Sequence, residues 1–140
     1  MDWLIYAFLS TVFAALTVIL AKIGIENVNS NLATAIRTAV ILFFTWGIVF
    51  AQGLHKQTSS LSKISLLFLI LSGITTGLSW LFYFRALQIG EASKVAPIDK
   101  LSLVSTIIFA ALILKEKLTM STIIGSIFMT AGAILIAFVK

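Results

Sequence analysis

The sequence predicts an all-α integral membrane protein, a bundle of five transmembrane helices. The first observation behind this prediction is composition: of 140 residues, 60% are hydrophobic and only 11% are charged. Soluble domains carry about 25% charged residues, which they need to cover their surface. The second observation is that the apolar residues fall into five segments of about 20 residues, the length that an α-helix needs to cross a bilayer.

The five segments are taken in order along the chain. Helices are expected because an isolated strand would leave its backbone groups unpaired in lipid, and no segment alternates polar and apolar residues as barrel strands do. The connections are short, which predicts that residues 1–140 form a single transmembrane domain. The predicted helices are Trp3–Ala21, Leu32–Ala51, Ile64–Phe84, Val95–Leu114 and Leu118–Val139.

Cap residues support two of the helix starts, and a proline supports a third. Asn29-Ser30-Asn31 precedes the second segment, and Thr119 or Ser121 stands near the start of the fifth. Side chains of these types accept hydrogen bonds from the first free N–H groups of a helix. Pro97 is expected in the first turn of the fourth helix, where a missing N–H is tolerated.

Composition also argues against several functions. The chain has no cysteine, and its one histidine, His55, lies in a polar connection. There is no HExxH motif, phosphate-binding loop or catalytic triad, so neither an enzyme nor a bound cofactor or metal is expected. The net charge is +5, but the basic residues flank apolar segments, which indicates contact with lipid headgroups rather than nucleic acid.

Three motifs carry a resemblance to a known family. The first is the stretch Tyr83–Ile98, in which Ala86-Leu87 is followed by a Gly/Ala/Ser loop and then by Pro97. The second is the short turn Leu114–Leu118 with its glutamate. The third is the small-residue last helix, with Gly125 and Ala131-Gly132-Ala133, and Arg37 in the second helix is a further match. Together they resemble the EamA-like half of the drug/metabolite transporter superfamily.

The resemblance covers essentially the whole chain and agrees with the register of five helices. It implies one EamA-like repeat, similar to the single-repeat bacterial and archaeal members, and a multi-pass protein of the inner or plasma membrane. The four-helix multidrug branch carries a glutamate in its first helix, whereas Trp3–Ala21 contains no acid. Proton-coupled export of drug cations by that mechanism is therefore not expected.

Charged and polar residues within the predicted helices indicate a translocation path. Charges inside a membrane are costly and usually face a cavity or a partner, although Arg37 could also reach the interface. Neighbours at helical spacing add polar and aromatic side chains, unless the hydroxyls bond back to the backbone. The candidate substrate and translocation residues are Arg37, Asp99, Lys100, Thr34, Thr38, Ser79, Trp80, Tyr83 and Ser102.

The charges of these candidates favour a class of solute. Arg37 and Lys100 stand against one acid, Asp99, which favours anionic or zwitterionic solutes such as amino acids. Asp99 and Lys100 are adjacent, about 100° apart around a helix, so their side chains are expected to point in different directions.

A single repeat is expected to work as a homodimer, since transporters of this kind place their site between inverted repeats. Four basic residues lie on each side of the membrane, which gives no preferred orientation and permits an antiparallel pair. The last helix supplies the predicted dimer interface with Ser121, Gly125 and Gly132, although such residues also serve contacts within one chain. The basic residues are Lys56, Lys63, Lys115 and Lys117 on one side and Lys22, Arg85, Lys94 and Lys140 on the other.

The sequence thus predicts a transporter of small metabolites that works by alternating access, with the lipid bilayer, a small solute and a second copy as its partners. Two alternatives remain at this point. One is a small non-transporting membrane subunit, and the other is a flippase for a lipid-linked sugar or phosphate.

Overall fold

The structure is a computed structural model that describes residues 2–138. Five helical spans among these residues are long and apolar enough to cross a membrane, which confirms the predicted fold class. Between α2 and α3 lies a 3₁₀-helix over Leu54–Ser60. The α-helices are α1 (Asp2–Gly24), α2 (Ser30–Ala51), α3 (Lys63–Ile89), α4 (Ala92–Asp99), α5 (Ser102–Ile113) and α6 (Met120–Phe138).

Two helix starts are capped by predicted residues. The Oδ1 atom of Asn29 accepts a hydrogen bond of 2.9 Å from the backbone N–H of Asn31, at the start of α2. The hydroxyl of Thr119 accepts one of 3.2 Å from the N–H of Thr122, at the start of α6. Each bond satisfies a donor that the helix itself leaves free.

Helix α3 runs one and a half turns beyond its predicted end at Phe84. Beyond Phe84 the helix contains Arg85 and Gln88, and a boundary drawn from hydropathy alone therefore falls before them. In the structure the Nη1 atom of Arg85 donates a 2.8 Å hydrogen bond to Oε1 of Gln88, an i,i+3 pair that faces along the helix surface. The connection to α4 shrinks to Gly90 and Glu91.

The fourth apolar segment is interrupted, which differs from the predicted continuous helix. It begins at Ala92, three residues earlier than predicted, so Pro97 lies in the second turn and not in the first. A proline there removes the N–H that would bond the carbonyl of Ser93. The interruption follows at Lys100 and Leu101, where the N–H of Leu101 bonds to the carbonyl of Ile98 at 3.0 Å, an i,i−3 bond.

The chain divides into two compact units. The central unit is Leu20–Gln88, and its core forms where the end of α1, the start of α2 and the end of α3 meet; the buried residues there are Ala21, Ile25, Ser30, Ala33, Thr34, Phe84 and Leu87. The terminal unit contains residues 2–19 and 89–138. In it α4 and α6 are in contact, and Ala133 is buried.

Most large apolar side chains of the helices are exposed. In lipid such exposure carries no hydrophobic penalty, because acyl chains are as apolar as leucine. The few buried residues therefore show where helices of the same chain pack against one another.

Candidate functional site

Arg37 of α2 lies against two aromatic rings of α3. Its guanidinium carbon is 4.3 Å from the ring centroid of Phe84 and 5.4 Å from that of Trp80. Trp80 and Phe84 are four residues apart and thus share one face of the helix. A cation at these distances is attracted by the negative faces of the rings. We call Arg37, Trp80 and Phe84 the arginine–aromatic cluster.

One nitrogen of this guanidinium is not satisfied. The Nη1 atom of Arg37 is buried and has no hydrogen-bond partner among residues 2–138. Buried donors almost always have an acceptor, and a lone one needs a specific explanation. An aromatic face attracts charge but supplies no such acceptor. The Nη1 atom of Arg37 can therefore donate a hydrogen bond to an oxygen atom of a bound anion.

The hydroxyls of α2 near the cluster bond to their own helix. Thr34 donates to the carbonyl of Ser30 at 2.8 Å, and Thr38 donates to that of Thr34 at 2.8 Å. The alternative of backbone bonding therefore holds for both threonines. Each oxygen keeps lone pairs, so the two can accept hydrogen bonds but not donate them in this state.

Two further candidates lie on α3. Tyr83 is half-buried, and its ring meets that of Phe84 edge to face with centroids 6.1 Å apart. Ser79 is exposed. The central unit thus brings Arg37 and Trp80 together beside Tyr83, while Ser79 has no described contact with them.

The remaining candidates belong to the terminal unit. The Nζ atom of Lys100 lies 3.6 Å from Oδ2 of Asp99, so the two side chains converge although they were expected to diverge. The four-carbon side chain of Lys100 is flexible enough to bring its ammonium group to the neighbouring carboxylate. Ser102, the first residue of α5, is exposed and its carbonyl accepts the Thr106 hydroxyl at 2.8 Å.

Lys100 also lines a cleft within the terminal unit. The cleft has a volume of about 630 Å³ and is mainly apolar. It is bordered by one face of α1 and by the region of the interruption; the lining residues are Ser10, Thr11, Ala14, Ala15, Val18, Ala96, Pro97, Lys100 and Leu103. The ion pair of Lys100 with Asp99 therefore stands at the edge of an open groove.

The predicted dimer residues lie on α6. Gly125 and Gly132 are half-buried, yet a Cβ atom added at either would meet no heavy atom within 4 Å among the described residues. Ser121 is exposed. The space beside the two glycines is therefore open within the described chain.

Sequence reasoning missed two participants. Phe84, the predicted end of the third helix, is not among the predicted site residues, yet its ring is closer to the guanidinium of Arg37 than that of Trp80. Lys22 was treated as a headgroup contact, yet its Nζ atom donates a 2.6 Å hydrogen bond to the carbonyl of Leu87. The spacing of Trp80 and Phe84 was a usable signal for the first. A contact between residues so far apart in the chain left no signal for the second.

The described part of the chain holds no group of three or more His, Asp or Glu side chains placed to bind a metal ion. Arg37 is half-buried against aromatic rings, and five helical spans of the described residues are long and apolar enough to cross a membrane. These features define a multi-pass membrane protein with an arginine–aromatic cluster between two helices.

The comparisons with known proteins identify the family. The sequence profile of the EamA-like transporter family matches residues 1–138. The chain is also 50% identical over 136 residues to a protein from a Sinorhizobium species described as an uncharacterized transporter in the cobO 3′ region, covering 97% of this chain and 96% of that protein. The chain therefore belongs to the EamA-like transporter family and is a membrane transporter. No solved structure matches it.

Proposed function

We propose that this transporter moves small anionic or zwitterionic solutes, with amino acids as the favoured class, and that Arg37 binds their carboxylate. The observation that carries the proposal is the buried, unpartnered Nη1 atom of Arg37 above Phe84 and Trp80. A planar guanidinium presents paired donors that match a carboxylate, and its hydrogen bonds to an anion are about twice as strong as neutral ones.

The position of Arg37 in the membrane supports a transport role. It is the eighth residue of α2, roughly 10 Å along the helix axis from its start. A charge at such depth is costly unless it has a function or a partner. The rings of Trp80 and Phe84 lower this cost in the empty state, and a solute carboxylate would replace part of their attraction.

We further propose that two copies form an antiparallel dimer that works by alternating access. The Sinorhizobium relative, matched over 96% of its own length, is built at the same single-repeat size. A single repeat that pairs with an inverted copy gains the two-repeat arrangement in which transporters place their sites. On α6, Ser121, Gly125 and Gly132 would let a second helix approach closely, because Ser121 is exposed and the space beside the two glycines is open.

The remaining candidates are assigned supporting roles. Thr34, Thr38, Ser79 and Tyr83 would line the path beside Arg37. The Asp99–Lys100 pair and Ser102 would supply a second polar position at the interruption of the fourth span. A zwitterion could exchange with such an ion pair, since it offers one charge to each partner.

The test is uptake by purified protein in proteoliposomes, with a panel of radiolabelled amino acids and dicarboxylates. Arg37→Ala should lower uptake of the transported solute at least about thirtyfold, the equivalent of roughly 2 kcal/mol for a hydrogen bond to a charged group. Arg37→Lys should retain part of the activity, because it keeps the charge but loses the planar fork.

The control is Phe82→Ala, which truncates an exposed side chain of α3 and leaves the charge balance unchanged. It should leave uptake within about twofold of the parent, as expected for surface substitutions. All variants are compared by size-exclusion chromatography to show that assembly is unchanged. Full uptake by Arg37→Ala would remove Arg37 from the site.

A further inference from the structure

We propose that a polar cavity at one end of the central unit is an entrance site for the carboxylate of the solute. Lys22 keeps the passage from this cavity to Arg37 closed until the carboxylate binds. The inference rests on the proposed function of Arg37 and adds a route to it. It assigns to Lys22, Glu26 and Gln88 a role in binding the solute, in addition to any structural role at the helix ends.

The cavity has a volume of about 350 Å³ and is lined by Lys22, Ile23, Ile25, Glu26 and Gln88. This volume lies within the range of small-molecule sites. Its polar groups are an ammonium, a carboxylate and an amide, the set that recognises a zwitterion with one carboxylate and one ammonium group. Glu26 is exposed, and within residues 2–138 its carboxylate has no ion pair or hydrogen bond.

The resting state is held by two hydrogen bonds between the α1–α2 region and the end of α3. The Nζ atom of Lys22 donates to the carbonyl of Leu87 at 2.6 Å, and the Nε2 atom of Gln88 donates to the carbonyl of Val28 at 2.8 Å. The last carbonyls of a helix have no partner within the helix, so a lysine is well suited to bind them. We call these two bonds the latch.

The residues around the latch are tightly packed. Leu87, whose carbonyl accepts the bond from Lys22, is fully buried, and Ile25, which lines the cavity, is 2% exposed. Ser30, the first residue of α2, is 5% exposed at the same end. The segment between α1 and α2 therefore covers the end of the central unit.

The latch is linked to Arg37 through α3. Phe84 and Leu87 are three residues apart, about 4.5 Å along the helix axis, and both are buried. Phe84 carries the guanidinium of Arg37 at 4.3 Å. Any movement of the last turn of α3 that releases Leu87 therefore loosens the ring beneath Arg37.

A carboxylate can open this latch by competition. A carboxylate adds the attraction of opposite charges to the hydrogen bond with an ammonium, and a neutral carbonyl lacks that attraction. A solute in the cavity therefore draws Lys22 away from Leu87, and the last turn of α3 is released. The solute then has Arg37 ahead of it, one helical turn further along α3.

The test measures access to a buried position. The chain has no cysteine, so Ser30→Cys introduces a single thiol at the covered end. The full-length protein is placed in nanodiscs, and the rate of labelling by a membrane-impermeant methanethiosulfonate is measured. Sodium acetate should raise the rate several-fold, and sodium chloride of equal ionic strength should not.

Variants distinguish opening of the latch from a general destabilisation of the protein. In the Ser30→Cys background, Lys22→Met should raise the labelling rate about tenfold without acetate, since a hydrogen bond to a charged group is lost, and should abolish the response to acetate. Gln88→Ala should also raise the rate, while Lys22→Arg should keep it low. The control is Lys94→Met, an exposed lysine paired with Glu91 at 3.2 Å in the terminal unit, which should behave as the parent.

Adding the amino acid glycine tests whether the cavity recognises a zwitterion better than a simple carboxylate. Its ammonium group can pair with Glu26, so glycine should raise the rate at lower concentration than acetate, and Glu26→Gln should abolish that difference. An unchanged rate in Lys22→Met, equal effects of acetate and chloride, or equal potency of glycine and acetate would overturn the inference. Labelling requires no net transport, so its failure is distinct from full uptake by Arg37→Ala, which would overturn the proposed function.

Discussion

At the scale of single residues, the structure accommodates charge inside apolar helices in two ways. Arg37 lies on the faces of Phe84 and Trp80, whereas Lys100 lies near the carboxylate of Asp99 at 3.6 Å. The first arrangement leaves the positive charge uncompensated and open to an anion. The second is neutral overall and offers a solute one group of each sign.

Lys115 gives a prediction at this scale. It has φ of 57° in the turn between α5 and α6, where the N–H of Glu116 reaches back to the carbonyl of Ala110 at 3.2 Å. A Cβ atom makes this left-handed conformation costly, and glycine adopts it freely. Lys115→Gly should therefore raise the free energy of unfolding by about 1 kcal/mol, as measured by denaturation in mixed micelles.

The control for Lys115→Gly is Lys117→Gly, two residues further along the same turn. Positive φ angles among the described non-glycine residues are confined to Lys115. Lys117→Gly should accordingly give no gain in stability. Equal effects of the two substitutions would contradict the argument from backbone conformation.

At the scale of elements, the interrupted fourth span is the most distinctive feature of the terminal unit. Leu101, Leu103 and Val104 all form i,i−3 backbone bonds of 3.0 Å at the interruption. A short 3₁₀ stretch within a helix often marks a hinge. The interruption also borders the cleft that Lys100 lines. A bend at this point would change the width of the cleft, as alternating access requires.

Pro97→Ala tests the hinge. The new N–H can bond the carbonyl of Ser93, so we expect a gain in stability of about 1–3 kcal/mol. A stiffer span should also lower the initial rate of uptake several-fold in proteoliposomes. Ile98→Ala serves as the control, because it trims a neighbouring side chain without changing the backbone bonding. Higher stability with an unchanged uptake rate would argue against a hinge at this position.

At the scale of the whole molecule, the chain buries few of its own residues, and the buried set of the central unit is concentrated at one end of its helices. The apolar faces elsewhere are available to lipid or to a second copy. Because the space beside Gly125 and Gly132 of α6 is open, and because the topology predicted from the sequence has equal numbers of basic residues on the two sides of the membrane, an inverted second copy is the partner that we propose.

Topology mapping tests this assembly. Asn27→Cys places a single thiol in the exposed connection between α1 and α2 without changing the charge balance. An impermeant reagent applied to intact cells and to inverted vesicles should label comparable fractions from both sides. Replacing Lys115 and Lys117 with glutamine should drive one orientation, because positive residues set the cytoplasmic side. Labelling of the parent from one side only would defeat the antiparallel model.

Local features of the sequence determined the fold class. Long apolar segments must become helices in lipid, since no other structure satisfies the backbone there, and Asn29 and Thr119 act as caps because their side chains reach only the next few N–H groups. Arg37 could be selected as a candidate because a charge inside a span is rare. Each of these inferences depends on residues close together in the chain.

Only the tertiary structure decided which distant groups meet. Two hydrogen bonds with distant residues hold the last turn of α3. Lys22 donates to the carbonyl of Leu87, 65 positions away, and Gln88 donates to the carbonyl of Val28, 60 positions away. The ring beneath Arg37 and the convergence of Asp99 with Lys100 likewise depend on how helices pack and where one is interrupted. Hydropathy measures the transfer of each segment into lipid, and that free energy is the same whichever neighbour the segment packs against.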